Sequence, residues 1–132
     1  MFRIPRPCDH ALVPLRCLIV DDSAFFLEAA ASLLQREGVT VVGVASFIAD
    51  ALRQARELRP DVVLVDIMLG RESGLDLARR LAEADPDAPA VILISTHAET
   101  EFADLIAEAP AAGFLSKSQL SAGRIQQLLN SS

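Results

Sequence analysis

Five short apolar runs recur along the chain, separated by segments of helical spacing, and this alternation restricts the fold more than any other feature. The runs are Arg16–Val20 (RCLIV), Val39–Ala45 (VTVVGVA), Asp61–Val65 (DVVLV), Ala90–Ile94 (AVILI) and Gly113–Ser116 (GFLS). Most are continuous rather than alternating, the mark of strands covered on both faces in a parallel sheet. Between them, apolar stripes predict helices. The first is carried by Phe26, Ala30, Leu33 and Leu34 and stopped by Gly38, and the second by Ile48, Ala51, Leu52, Ala55 and Leu58, ended before Pro60. Leu75, Ala78, Leu81 and Ala82 carry a third, Phe102, Leu105, Ile106 and Ala109 a fourth closed by Pro110, and Ile125, Leu128 and Leu129 a fifth. Strand and helix alternating in this way call for an α/β fold with right-handed crossovers and helices on both sheet faces. Pro5, Pro7 and Pro14 make residues 1–14 read as a flexible lead-in, leaving 15–132 as one domain.

Charge and composition narrow the function classes. The 18 acidic against 12 basic residues give a net charge of −6, which argues against nucleic-acid binding through clustered Lys and Arg. No apolar stretch approaches the roughly 20 residues needed to span a bilayer. The N-terminal MFRIPRPCDHALVPL lacks a continuous apolar segment of signal-peptide length. Cys8 and Cys17 are too few for a disulfide framework or a zinc site. A cytoplasmic chain is expected, with no membrane partner.

In an open parallel sheet, ligands bind outside the carboxyl ends of the strands. The first strand is followed by Asp21-Asp22, the third by Asp66, the fourth by Ser95-Thr96 and the fifth by Lys117. Each of these is unremarkable alone. Asp21-Asp22 could cap a helix, Asp66 could be a turn residue, Lys117 a solvated lysine and Phe114 a core aromatic. Together they offer one crevice three carboxylates, a hydroxyl pair and an ammonium. Carboxylates about 4 Å apart repel by on the order of 4 kcal/mol per pair at an effective dielectric near 20, so the cluster calls for a cation, a shared proton, or both. Oxygen-only donors with few protein ligands suit Mg²⁺, which also takes phosphate oxygens. Lys117 and Ser95 would then hold an anionic group, and Asp66 is the natural nucleophile of a phosphoryl-transfer site.

Ile19-Val20-Asp21-Asp22-Ser23, Val62-Val63-Leu64-Val65-Asp66, Val91-Ile92-Leu93-Ile94-Ser95 and Gly113-Phe114-Leu115-Ser116-Lys117 resemble the receiver domain of bacterial two-component response regulators, including the chemotaxis-regulator type. The resemblance covers about residues 15–130. It implies a flavodoxin-like, doubly wound sheet of five parallel strands in the order 2-1-3-4-5 with five helices. It implies a signalling domain, not an enzyme in its own right, whose Asp66 takes a phosphoryl group from a sensor histidine kinase or phosphotransfer protein. By that likeness Asp22, Asp66 and the backbone carbonyl of Met68 bind Mg²⁺, with Asp21 acting through water. Lys117 pairs with Asp66 or its phosphate, and Ser95 and Phe114 form a switch acting on the face of the fourth helix, fifth strand and fifth helix, where a homodimer or effector would dock. Met68 and His97 match positions that tune phosphate lifetime, although His97 read alone is a solvated loop histidine. Leu69-Gly70-Arg71-Glu72-Ser73-Gly74 is similar to receivers found on helix-turn-helix transcription factors. Ser118 and Gly70 depart from the family, which often has proline at both places.

Three rival functions are weighed against this. A haloacid-dehalogenase-type phosphatase needs a second acid two residues past its nucleophile, where this chain has Met68, or Ser23 after Asp21. A nucleotide or flavin binder would show a GxGxxG or Walker loop, and neither is present. The third is a degenerate receiver acting as a phosphorylation-independent interaction module.

Overall fold

A computed structural model describes residues 14–96 and 103–131. The five main strands are β1 (Arg16–Val20), β2 (Thr40–Ala45), β3 (Val62–Asp66), β4 (Ala90–Ser95) and β5 (Gly113–Ser116). They form one parallel sheet ordered β2-β1-β3-β4-β5. The helices are α1 (Ala24–Arg36), α2 (Ile48–Leu58), α3 (Gly74–Ala84), α4 (Ala103–Glu108) and α5 (Ala122–Ser131). The expected flavodoxin-like architecture is therefore present. Phe102, counted in the fourth stripe, lies outside the described residues.

Alternating strand residues feed two cores, one per face. Leu18, Val20, Val63, Val65, Val91 and Leu93 pack with Ile48, Ala51 and Ala55 of α2 and with Leu75, Leu77, Ala78 and Leu81 of α3. Cys17, Ile19, Val62, Leu64, Ile92 and Ile94 pack with Leu27, Ala30 and Leu34 of α1 and Ile125 of α5. Every residue of β3 is buried, as a continuous apolar run in a central parallel strand requires.

The β2 run departs from that expectation. It is an edge strand in which only Ala45 is buried, and Thr40 and Val44 are exposed. Its register slips against β1, Cys17 facing Val41 and Leu18 facing Gly43, so Val42 bulges out of the ladder. Gln54 covers this edge by donating to the Val44 carbonyl at 2.8 Å. The third stripe is also rotated, because Leu77 is fully buried while Ala82 faces solvent. Among the described residues, no helix is long and apolar enough to cross a membrane, and no peptide bond is cis.

Candidate functional site

The crevice forms where β1 and β3 end. Asp21 follows β1 and is fully buried, while its neighbour Asp22 is exposed. Neither caps α1. That role falls to Ser23, whose hydroxyl accepts from the Phe26 amide at 3.2 Å. Asp21 Oδ1 accepts from the Ser23 amide at 2.8 Å, which fixes its rotamer and turns Oδ2 into the crevice. Asp21 Oδ2 has no hydrogen bond of good geometry and instead faces Lys117 Nζ at 2.5 Å.

Asp66 closes β3. Its Oδ1 accepts from the Met68 amide at 3.1 Å, and its Oδ2 lies 3.0 Å from Lys117 Nζ. The chain then makes a small antiparallel hairpin, pairing Met68 with Ser73 and Leu69 with Glu72 around Gly70 at φ +62°. Gly74 starts α3 so close to the end of β3 that a Cβ there would stand 1.9 Å from the Asp66 carbonyl oxygen. Only glycine permits this approach.

Lys117 begins a 3₁₀ turn (Lys117–Gln119) directly after β5. Its ammonium sits between two carboxylates and 4.3 Å from the centre of the Phe26 ring. Burial works against its charge, but close contact with the Asp21 and Asp66 carboxylates outweighs it and holds its pKa above the usual lysine value. Asp21, Asp22 and Asp66 each offer an oxygen within 4.8 Å of the others. Three carboxylates against one ammonium leave about two negative charges uncompensated, and the donors are all oxygen. This chemistry fits a hard divalent cation.

Ser95, the last residue of β4, is 1% exposed and lies in register with Ser116 of β5. Phe114 is half-buried on β5 against the core shared by α2 and α3. Met68 is 51% exposed at the rim. Asp21, Asp22, Asp66 and Lys117 are thus brought together, Ser95 closes the neighbouring strand, and His97 lies outside the described residues. A cleft of about 670 Å³ opens at the other end of the strands, between the C-terminal ends of α2 and α3. Its mixed lining of arginines and acids includes none of the residues named for the site.

Three contributors were missed from sequence. In the sequence Phe26 belongs to an apolar stripe, and no local pattern marks it as a lysine partner. Ser23 carried a signal, since a serine just before an apolar stripe is a helix-cap pattern. Gly74 closes the Leu69–Gly74 motif, but its contact with Asp66 arises only when α3 docks.

A family profile described as "Response regulator receiver domain" matches residues 17–130. The chain belongs to that family. Response regulator GacA of Pseudomonas aeruginosa is 36% identical over 104 residues, covering 78% of this chain and 48% of the relative. The chain therefore spans about half the length of that relative. The signal receiver domain of the putative response regulator NarL from Mycobacterium tuberculosis superposes with a TM-score of 0.76 at 29% identity, over 89% of this receiver chain and 95% of the other. A response regulator protein from Burkholderia pseudomallei, described with a phosphorylated aspartic acid, calcium ion and citrate, superposes with a TM-score of 0.73 at 28% identity, over 87% and 66% of the two chains.

Proposed function

We propose that this receiver domain is switched by phosphorylation of Asp66, the donor being a phosphohistidine on a sensor kinase or phosphotransfer protein. The observation that carries the reading is Lys117 Nζ shared between Asp21 and Asp66 beside a third carboxylate, Asp22. Such a centre combines a nucleophile, a cation for the incoming anion and a surplus of negative charge that a metal would neutralise. The solved relative with a phosphorylated aspartic acid and a calcium ion supports the same chemistry.

In this reading an Asp66 carboxylate oxygen attacks phosphorus, the P–N bond to the donor imidazole breaks, and the imidazole leaves as a neutral group after protonation. Asp22, Asp66 and the Met68 carbonyl would hold Mg²⁺, with Asp21 acting through water. The ion supplies positive charge to the phosphoryl oxygens. Lys117 exchanges an aspartate oxygen for a phosphoryl oxygen and keeps its charge, since its pKa lies above the usual value. Ser95 donates to another phosphoryl oxygen, and Phe114 repacks into the space it vacates. The phosphoryl group adds about −2 charge and three acceptors to the crevice. The resulting shift favours a second packing of the face formed by α4, β5 and α5, where a homodimer or effector would dock, in the cytoplasm and in the setting of transcription regulation.

The test is incubation with beryllium fluoride or acetyl phosphate plus Mg²⁺, followed by amide NMR. Resonances on β5 and α5 should move in the wild type and stay put in Asp66→Asn. An unmoved wild type would favour a phosphorylation-independent module, and turnover of many unrelated phosphate esters would favour a hydrolase.

A further inference from the structure

Helix α2 begins without a cap of its own. Phe47 occupies its N-cap position in an extended conformation and has no side chain that can accept a hydrogen bond. The amide of Ile48 is satisfied from elsewhere in the chain, by Glu72 Oε1 at 2.8 Å, 24 residues away. Glu72 stands on the hairpin that leaves the acceptor, paired with Leu69 beside the Met68–Ser73 pair. The first strand and turn of the same hairpin face the crevice. The Met68 amide donates to Asp66 Oδ1 at 3.1 Å, and Asp22 Oδ2 lies 3.6 Å from where a Cβ on Gly70 would stand.

One short hairpin therefore touches the acidic cluster through Met68 and Gly70 and the first amide of α2 through Glu72. We propose that Glu72 is a positioning residue for this site: by capping α2 it fixes the hairpin that carries Met68, and occupancy of the acidic cluster is felt at the α2 N-terminus. The inference rests on the metal-binding reading above and adds to it a residue that touches neither metal nor phosphate. Its physical basis is that the hairpin is only two residue pairs long, too short to hold its own shape. The carboxylate also meets the positive end of the α2 dipole, which favours this pairing over a solvated glutamate.

The experiment is a Mg²⁺ titration of the whole chain followed by amide NMR, comparing wild type, Glu72→Ala, Glu72→Gln and the double variant Glu72→Ala/Phe47→Ser. In the wild type, the Ile48 and Met68 amides should titrate together. Glu72→Ala should weaken Mg²⁺ on the order of tenfold, the effect typical of groups that orient metal ligands, and silence the Ile48 response. Glu72→Gln keeps an acceptor oxygen and should recover most of both. Phe47→Ser supplies α2 with a local cap and should recover the thermal stability of Glu72→Ala without recovering Mg²⁺ affinity. Unchanged affinity in Glu72→Ala, or its recovery by Phe47→Ser, overturns the proposal. Failure of the wild type to bind Mg²⁺ at all would instead overturn the metal-site reading and this inference with it.

Discussion

At the scale of single residues, Lys117 has the heaviest electrostatic duty. Asp21 is fully buried, and its outward oxygen is faced by that ammonium. Removing the partner of a buried charge typically costs about 3–5 kcal/mol. Lys117→Ala should therefore lower thermal stability markedly, and Mg²⁺ should restore more of it than it adds to the wild type, which calorimetry with and without the ion would measure. The same variant should bind Mg²⁺ yet fail to pass a beryllium fluoride response to β5 and α5; a normal response would remove Lys117 from the relay. Cys17 makes a separate prediction. Burial pushes its thiol up from 9.0 to about 12, partly offset by a backbone hydrogen bond to Leu64. The folded chain keeps that proton between those values while the unfolded chain releases it, so the thiol's contribution to stability falls as pH climbs from about 9 toward 12. Cys17→Ala should flatten that part of the alkaline stability curve. Peptide mapping after iodoacetamide at pH 8 should find Cys17 unmodified in the native protein.

At the scale of elements, the docking of α3 onto β3 sets the position of the acceptor. The Gly74 amide donates to the Ile67 carbonyl at 2.8 Å, and a Cβ on Gly74 would collide with backbone of Asp66, not with a flexible side chain that could yield. Gly74→Ala should cost about 2 kcal/mol or more, at the upper part of the range for overpacking, although alanine is the better helix former. Urea unfolding would measure the loss, and the Mg²⁺ titration should weaken in the same variant because Asp66 must shift with its carbonyl. The helix and strand elements themselves were mostly legible. β5 has the bounds expected from GFLS, and α2 runs from Ile48 to Leu58 as its stripe and Pro60 predict. The misjudged β2 run shows where legibility stops. A row of valines looks the same at a sheet edge as at its centre, because burial depends on which neighbours arrive.

At the scale of the whole molecule, the −6 net charge and the acidic crevice respond to cations in different ways. General screening acts on any exposed charge and depends on ionic strength alone. A built site responds to the ion's identity and saturates, adding about 2.7 kcal/mol of stability at a hundredfold excess over the dissociation constant. Melting temperature should therefore rise with Mg²⁺ beyond its rise in NaCl of matched ionic strength, and the excess should vanish in Asp66→Asn. Equal shifts from both salts would mean screening only.

The order of apolar runs and helical stripes by itself determined a parallel α/β sheet, because continuous strands need cover on both faces. It also determined which polar residues stand at the carboxyl ends of the strands. Tertiary structure decided what those residues face. The lysine between Asp21 and Asp66, the ring of Phe26 beneath it, the glycine pressed on Asp66 and the carboxylate of Glu72 capping a distant helix all join positions far apart in the chain. Such contacts depend on the distance between packed elements, a quantity that no local pattern of residues encodes.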